Sequence, residues 1–343
     1  MESLVGRTKV RLLLILGLGS LSLLGLFVYS LTVGSVPIGW TDALDAFVKA
    51  VMSGGEVISV QEKIVYLVRF PRFLAAVGVG VGLAIAGVVM QAVVRNPLVD
   101  PYITGVSSGA SFGATSFLML GFLSGSFAVY ALPISAFIGA AVAFFLTIGL
   151  SEAAGGRPIT FVLSGVIVGF AFSSVTNILV VKNPDHLKGV LFWMFGNLTA
   201  PDLTQCSIIL LTVGVIGAVV LVYARELNVI LLGEEQGSQL GVDVRKVKLM
   251  MMVLSSLLTA VCVAFTGVIA FLGLIVPHMA RIIVGGDHRL LLPASMIIGA
   301  NFLVAADIFT RYVGELPIGA VISLVGAPFF GYLLVSRGKD YVN

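Results

Sequence analysis

Residues 101–151 have the sequence PYITGVSSGASFGATSFLMLGFLSGSFAVYALPISAFIGAAVAFFLTIGLS, which contains no Asp, Glu, Lys or Arg. A helix needs about 20 mostly apolar residues to cross a bilayer, because each residue adds ~1.5 Å across a hydrocarbon core of ~30 Å. This uncharged run is long enough for two crossings, and we expect its turn between Gly121 and Gly125. It therefore predicts a pair of membrane-spanning helices.

The composition of the whole chain points to the same class of protein. Of 343 residues, 58% are hydrophobic and only 11% are charged, and the mean hydropathy is +1.10. Ordinary soluble domains are about one-quarter charged, and so few polar residues could not cover a water-exposed surface. A soluble enzyme, a nucleic-acid-binding protein and a disordered chain are excluded. The 40 glycines predict helices that pack closely through small residues.

Other uncharged runs mark further spans. The first follows three basic residues and is longer than the ~7–15 apolar residues of a signal peptide, so we expect an uncleaved helix. The run 249–280 is expected to hold two helices, because Gly267 can turn the chain and Pro277 disturbs a continuous helix. The uncharged runs are 12–41, 73–94, 101–151, 158–181, 203–224, 249–280, 290–306 and 316–336. Together they predict an all-α membrane protein with ten spans.

The distribution of basic residues sets the expected orientation. Cytoplasmic loops carry excess Lys and Arg, and ten spans with both termini in the cytoplasm place most of the 20 basic residues there. In this arrangement residues 42–68 form an outer segment and residues 225–248 a charged cytoplasmic loop. Residues 1–343 are then one transmembrane domain. It has no G-x-x-x-x-G-K-[ST] motif that would indicate an ATPase.

Basic residues at the outer ends of two spans run against this bias. Arg69 and Arg72 flank Phe70-Pro71 at the beginning of the second span. They either dock an acidic partner or extend toward lipid headgroups. Asp307 and Arg311 lie four residues apart on the ninth span, where a local ion pair is the favoured interpretation. A proton-relay role for Asp307 keeps an ion-coupled secondary transporter as the alternative function.

Gly105-Val106-Ser107-Ser108-Gly109 matches the G-x-S-x-G motif of hydrolases. That motif indicates a nucleophile only on a strand–turn–helix with His and Asp partners, and none of the three histidines is well placed. Close helix packing is the favoured interpretation, and a membrane-embedded hydrolase using Ser107 or Ser108 is the weaker one. The histidines show no metal-ligand spacing, so no metal site is expected.

Two further patterns have both a structural and a functional interpretation. Gly165, Gly169, Ser173 and Asn177 recur every four residues and share one helix face, which suits either tight packing or the wall of a polar pathway. In the cytoplasmic loop, Glu234 and Glu235 are expected in the first turn of a short helix bounded by glycine. That loop is either solvated or a docking element for a cytoplasmic partner.

In combination, these motifs resemble the FecCD-type permeases of type II ABC importers, which carry iron–siderophores, haem or vitamin B12. Each string alone is weakly specific, but they occur in order from about Leu12 to Ser336. The strings are Arg69-Phe70-Pro71-Arg72 with Gln91, Arg95-Asn96-Pro97-Leu98 and Asp100-Pro101; Gly105-Val106-Ser107-Ser108-Gly109-Ala110; Gly273-Leu274-Ile275-Val276-Pro277-His278 with Asp287-His288-Arg289 and Leu292-Pro293; and Ala306-Asp307 with Glu315-Leu316-Pro317-Ile318-Gly319 and Gly326-Ala327-Pro328.

The resemblance implies a multi-pass permease of the plasma or inner membrane with the ten-helix type II fold. It implies a second permease subunit, identical or not, with the translocation path along the dimer interface. Two cytoplasmic ATPase subunits would bind ATP and Mg²⁺, so that this chain needs no cofactor and catalyses no covalent reaction. An extracytoplasmic binding protein would deliver a metal chelate. An iron–siderophore is the first expectation, with haem, cobalamin and oxyanions as alternatives.

The resemblance also assigns roles to residues. Arg69, Arg72 and Arg311 correspond to arginines that meet glutamates of the binding protein, which favours docking over lipid contact. The loop that couples to the ATPase corresponds to about residues 228–243 and contains Glu234, Glu235, Leu240, Gly241 and Val242. The fifth helix lines the path in this family, which favours the pathway interpretation of Gly165, Gly169, Ser173 and Asn177. The loop before it supplies an inner gate, here Pro158, Ile159 and Thr160.

Overall fold

A computed structural model describes residues 2–120, 128–199 and 201–337, and within these ranges the regular structure is entirely helical. A π-helical segment, Ile64–Arg69, leads into α4, and short 3₁₀ turns precede α5 and α8. The helices are α1 (Glu2–Thr32), α2 (Trp40–Met52), α3 (Val60–Lys63), α4 (Phe70–Val94), α5 (Val106–Leu120), α6 (Ala128–Ala153), α7 (Pro158–Lys182), α8 (Leu187–Met194), α9 (Leu203–Val222), α10 (Ala224–Leu232), α11 (Glu234–Gln239), α12 (Val244–Thr266), α13 (Leu272–Val284), α14 (His288–Tyr312) and α15 (Ile318–Arg337).

Seven helical segments in the described ranges are long and apolar enough to cross a membrane, and α13 and α15 add shorter apolar helices. The division of the run 249–280 is confirmed, because α12 ends beside Gly267, whose φ of +69° suits glycine, and α13 begins at Leu272. Pro277 lies inside α13. The turn expected at Gly121–Gly125 lies outside the described residues. The number of ten spans and the side of the termini stay predictions.

Helix α4 is the centre of the larger packing group and is almost completely buried among α9, α12, α13 and α14. Glycines permit this, since a Cβ added at Gly80 would overlap the backbone of Gly299, and one added at Gly87 would overlap the backbone of Gly273. Such close approach lets dispersion contacts form along the helices, where lipid provides no hydrophobic driving force for their association. The glycines therefore permit the close helix packing that the sequence predicted.

Helices α5, α6 and α7 form a second packing group, and α12 lies between the two. Gly109 of α5 and Gly139 of α6 approach each other so closely that a Cβ on either would overlap the other's carbonyl oxygen. The packing interpretation of the G-x-S-x-G motif is thereby confirmed for its second glycine. The other face of α7 is largely exposed, with apolar residues such as Phe170 and Val181 uncovered.

The connection between α4 and α5 ties the two groups together. Asp100 accepts a hydrogen bond from the backbone N–H of Tyr102 at 2.9 Å and so begins a 3₁₀ turn. The Tyr102 hydroxyl donates to the carbonyl of Ile269 at 3.2 Å, in the connection between α12 and α13. Pro101 packs against Gly273. The Asp100-Pro101 string thus holds two loop segments together inside the bundle.

Candidate functional site

The first charged cluster joins α4 to the end of α14. Arg72 Nε donates to Asp307 Oδ1 at 2.7 Å, and Arg311 Nη2 lies 3.0 Å from Asp307 Oδ2. The side chains of Arg72, Arg311 and Asp307 are only 7%, 2% and 1% exposed. The ion-pair interpretation of Asp307 is confirmed, and a second arginine, from α4, completes it. We call Arg69, Arg72, Asp307 and Arg311 the outer cluster.

Two of these arginines also donate hydrogen bonds to carbonyls at the end of α1 and just after it. Arg311 Nη1 donates to the carbonyls of Ser30 at 2.8 Å and Val33 at 3.2 Å. The Arg69 guanidinium donates to the carbonyls of Leu31 and Val36. The last carbonyls of a helix have no partners within it and carry partial negative charge, so cations are favourable there. The three arginines predicted to dock a partner therefore meet in one place, engaged by their own chain.

The outer cluster contains more positive than negative charge. Its three guanidiniums are accompanied by one carboxylate, that of Asp307, which contacts Arg72 and Arg311 but not Arg69. Glu315, the next acidic residue to influence Arg311, is exposed and accepts a hydrogen bond from Ser35. Asp307 Oδ2 and two nitrogens of Arg311 have no well-formed hydrogen bond. An incompletely neutralised cationic cluster is complementary to acidic groups.

A polar cavity of about 290 Å³ lies between α5, α7 and the end of α8. Ser173 Oγ donates to Ser108 Oγ at 3.3 Å across it. No histidine or acidic residue is among the described residues that line it, so Ser107 and Ser108 have no general base there. The lining residues are Ser107, Ser108, Ser111, Ser173, Thr176, Asn177, Met194 and Val268.

The four-residue stripe on α7 is divided between two roles. Gly165 is buried where a Cβ would overlap the carbonyl of Ile103, so it serves close packing. A Cβ on Gly169 would lie 3.5 Å from Ser108 Oγ, next to the polar cavity. Ser173 and Asn177 line that cavity, and Asn177 is exposed. Three of the four pathway candidates thus gather around one polar surface.

The gate candidates stand at the inner end of α7. Pro158 is the first residue of the helix, where its missing N–H needs no partner. Thr160 Oγ1 donates to the carbonyl of Arg157 at 2.8 Å, and Ile159 is exposed. Pro158 also lines a cavity of about 550 Å³, which we call the gate cavity.

The cytoplasmic loop has the helical form that the sequence predicted. Helices α10 and α11 are separated by Gly233, and α11 is followed by Gly241, both with positive φ. Glu234 and Glu235 occupy the first turn of α11. Leu240 is 62% exposed, whereas Val242 packs against the core. The predicted coupling residues therefore lie in a short, exposed helix and just after it. One of them, Leu240, has an uncovered apolar side chain.

Two ion pairs border the gate cavity. Lys248 Nζ of α12 lies 2.7 Å from Glu234 Oε1, and Arg245 Nη2 lies 2.9 Å from Glu152 Oε2 at the end of α6. The hydrogen bond from Lys248, followed by its positive charge, lowers the pKa of Glu234 below its usual value. These pairs connect α12 to α11, which holds predicted coupling residues, and to the end of α6, which precedes the predicted gate residues.

A family model described as the FecCD transport family matches residues 22–336. The chain belongs to the FecCD transport family. The match spans both packing groups, the polar cavity and the coupling loop. Family membership and the apolar helices make it a multi-pass membrane protein of the inner membrane and an ABC importer permease.

Individual relatives agree with this assignment. The chain is 40% identical over 326 residues to a cobalamin import system permease protein of Halobacterium salinarum, covering 90% of this chain and 87% of the relative. It is 34% identical over 319 residues to an Fe(3+) dicitrate transport system permease protein of Escherichia coli, covering 92% and 96%. A solved structure described as a metal-chelate-type ABC transporter in an inward-facing conformation matches with a TM-score of 0.81 and 31% identity, covering 94% and 99%.

Some site residues were not found from the sequence. Ser107 and Ser108 were assigned to packing or to a hydrolase motif and Ser111 was given no role, but all three share the polar cavity with α7. Glu152, Arg245 and Lys248 carry no local motif, since their partners are distant in the sequence. The sequence signals for the cavity were the four-residue stripe on α7 and the same spacing of Ser107 and Ser111 on α5.

Proposed function

We propose that this chain moves a metal chelate of the siderophore or corrinoid class into the cytoplasm, together with a second permease subunit and two ATPase subunits. The observation that carries the proposal is the polar cavity that opens beside the exposed apolar face of α7. Hydroxyl and amide groups beside an uncovered apolar helix suit a pathway that a second subunit closes. The likeness to permeases named for cobalamin and for Fe(3+) dicitrate supports a chelate as cargo.

The charged surfaces support the partners of such an importer. We propose that α11 and the exposed Leu240 dock a cytoplasmic ATPase, with Gly233 and Gly241 limiting the docking helix. We propose that the outer cluster attracts acidic residues of an extracytoplasmic binding protein through its excess positive charge. Because Arg69, Arg72 and Arg311 are buried in this conformation, this attraction would act through the charge of the cluster without direct contact with its arginines.

The ion-coupled alternative requires Asp307 to exchange protons with a water-filled path. Asp307 is 1% exposed and lies between two arginines, and it does not line the polar cavity. Both features oppose a proton-relay role. A structural role for this carboxylate is the better physical account.

Transport by the reconstituted complex tests the proposal. Proteoliposomes containing the chain, its ATPase and its binding protein would be supplied with radiolabelled cobalamin or a radiolabelled ferric siderophore. We expect accumulation of one of them that requires internal ATP and is insensitive to a protonophore. Accumulation that the protonophore abolishes and ATP does not affect would contradict the proposal.

The pathway assignment needs its own variants. Asn177→Leu should reduce uptake several-fold while ATPase docking stays intact, because an apolar side chain replaces an amide at the cavity edge. Ser174→Ala, on the neighbouring exposed surface of α7, is the matched control. Equal uptake by Asn177→Leu and the wild-type chain would remove Asn177 from the pathway.

A further inference from the structure

A second cavity on the inner side, of about 570 Å³, has a different charge pattern from the gate cavity. It lies between the end of α4, the end of α13 and the beginning of α14. None of the described residues that line it is acidic. Its lining includes two arginines, two histidines and two side-chain amides: Arg95, Arg281, His278, His288, Gln91 and Asn96. We call it the basic cavity.

Its cationic groups approach from separate elements. Arg281 of α13 donates to Gln91 Oε1 at 2.9 Å, which fixes its guanidinium against α4. Arg95 follows α4 with a left-handed backbone and is exposed, and its charge also reaches Glu234. Arginine forks bind phosphate oxygens through paired hydrogen bonds, so two of them around one cavity favour a phosphate group.

One of the residues that line this cavity has an unsatisfied buried atom. His288 is 2% exposed, and its Nε2 has no hydrogen-bond partner. Its Nδ1 lies 2.7 Å from Asn228 Oδ1, while the Asn228 amide nitrogen donates to Asp287 at 2.8 Å. Asn228 Oδ1 is therefore the acceptor, Nδ1 carries the proton, and the neutral ring presents Nε2 as an acceptor. A buried polar atom of this kind is costly unless a ligand or water satisfies it.

The mouth of the cavity is apolar. Leu231 and Ile282 line it and are both exposed. Basic pockets between membrane helices on the cytoplasmic side are suited to anionic lipid headgroups, whose acyl chains extend along such apolar residues. A phosphoglycerol headgroup would present phosphate oxygens to the arginines and a hydroxyl to Nε2 of His288.

We propose that the basic cavity binds a phosphate group, with Arg95 and Arg281 holding its oxygens and His288 accepting a hydrogen bond from an adjacent hydroxyl. The group is carried by an anionic phospholipid headgroup or by a soluble phosphate. The site is separate from the polar cavity and from the outer cluster, and it does not depend on which chelate is transported.

Lipid binding to the full-length chain tests this site. The chain would be delipidated in a neutral maltoside detergent and titrated with phosphatidylglycerol or phosphatidylcholine, with bound lipid counted by native mass spectrometry. We expect about a tenfold preference for phosphatidylglycerol. Both lipids present a phosphodiester to the arginines, but the quaternary ammonium of phosphatidylcholine is repelled by them and cannot donate a hydrogen bond to His288. Arg95→Gln/Arg281→Gln should abolish the preference, whereas Arg157→Gln, an exposed arginine of the gate cavity, should retain it.

Inorganic phosphate distinguishes the two sources. Phosphatidylglycerol that remains bound in millimolar phosphate identifies a lipid site, and displacement by phosphate identifies a soluble ligand; each supports the proposal. Arg281 also donates a hydrogen bond to Gln91, so the double variant could lose lipid binding because it misfolds. Arg95 is exposed, so Arg95→Gln alone controls for misfolding. This single variant should reduce the preference about threefold. Equal binding of both lipids with no phosphate binding, or an unchanged preference in both variants, would overturn the proposal.

Discussion

The outer cluster and the gate cavity contain the same kinds of charged groups in opposite environments. Around Asp307 the charges are buried and bridge α4 and α14, and Arg311 extends the contact to α1. At the gate cavity Arg245 is 85% and Glu152 50% exposed, and Glu234 is 65% exposed beside the buried Lys248. Buried charges without partners are very unfavourable, whereas exposed charges exchange partners for water at little cost. The ends of α4 and α14 at the outer cluster are therefore held in one arrangement, whereas the ion pairs at the gate cavity can exchange partners.

This difference suits an importer in which ATPase subunits act from the inside. Rearrangement at the coupling loop would break and remake only weak, solvated ion pairs. Four measurements would sharpen or break the comparison.

The largest effect is expected from Asp307→Ala. It leaves Arg72 and Arg311 buried without a counter-charge, so the free energy of unfolding in detergent should fall by about 3–5 kcal/mol. Asp45→Ala is the matched control, since Asp45 forms an exposed ion pair with Lys49 at the same four-residue spacing. That variant should lose no more than ~0.5 kcal/mol. Similar losses in both variants would show that burial does not determine how much an ion pair of this spacing contributes to stability.

The next effect concerns the packing that supports the outer cluster. A Cβ in Gly80→Ala would overlap the backbone of Gly299, so α4 and α14 must separate. Overpacking of this kind costs about 1–3 kcal/mol, measurable by the same unfolding method. Gly214→Ala in α9 is the control, because no atom lies near the new Cβ. If Gly80→Ala left the free energy of unfolding unchanged, α4 and α14 could separate at no cost and the arrangement at the outer cluster would not be rigid.

A smaller effect is expected from the Glu234–Lys248 pair. Because Lys248 lowers the pKa of Glu234, the pair's stabilisation is present above the usual pKa of 4.5 and is lost as the pH falls through the lowered value. Glu234→Gln should therefore be less stable than the wild-type chain at pH 7, by less than ~1 kcal/mol because Glu234 is mostly exposed. The two should converge near pH 3.

The neighbouring Glu235→Gln provides the control for that measurement. It removes an acidic charge from the same turn of α11 and leaves the contact with Lys248 in place. A stability difference for Glu234→Gln that persists unchanged at pH 3 would show that the carboxylate's charge is not its source.

The smallest effect is expected at Glu152 and Arg245. A double-mutant cycle with Glu152→Ala and Arg245→Ala should give a coupling energy of about 0.2–0.5 kcal/mol that disappears in ~1 M salt. A coupling above ~2 kcal/mol, unaffected by salt, would place this pair with the buried charges and remove the contrast between the two ends.

Local patterns predicted much of this molecule. Uncharged runs located the long helices, glycines located close contacts, and Gly233 and Gly241 bounded α11 as expected. The ion pair of Asp307 with Arg311 followed from four-residue spacing. The partnership with Arg72 did not, because it joins residues far apart in sequence whose meeting depends on how α4 packs against α14.

The surroundings of the side chains at the polar cavity could not be predicted from the sequence either. The hydroxyls of α5 have a good explanation as small packing residues, and only the position of α7 turns them toward Ser173. The burial of Arg69 was likewise hidden, because arginines at a predicted outer helix end are ordinarily exposed. In both places the relative position of helices, rather than local propensity, determines what the side chains contact.

The attachment of α1 has a consequence for biosynthesis. Its last carbonyls receive hydrogen bonds from Arg69, which is 38 residues beyond its acceptor Leu31, and from Arg311, which is 281 residues beyond its acceptor Ser30. Asn301 similarly donates to the carbonyl of Gly19 at 3.0 Å. The hydrogen bonds from Asn301 and Arg311 to α1 can therefore form only after α14 has been synthesised. A chain that ends before α14 lacks these two residues' bonds, so that its α1 is held by Arg69 and by packing alone.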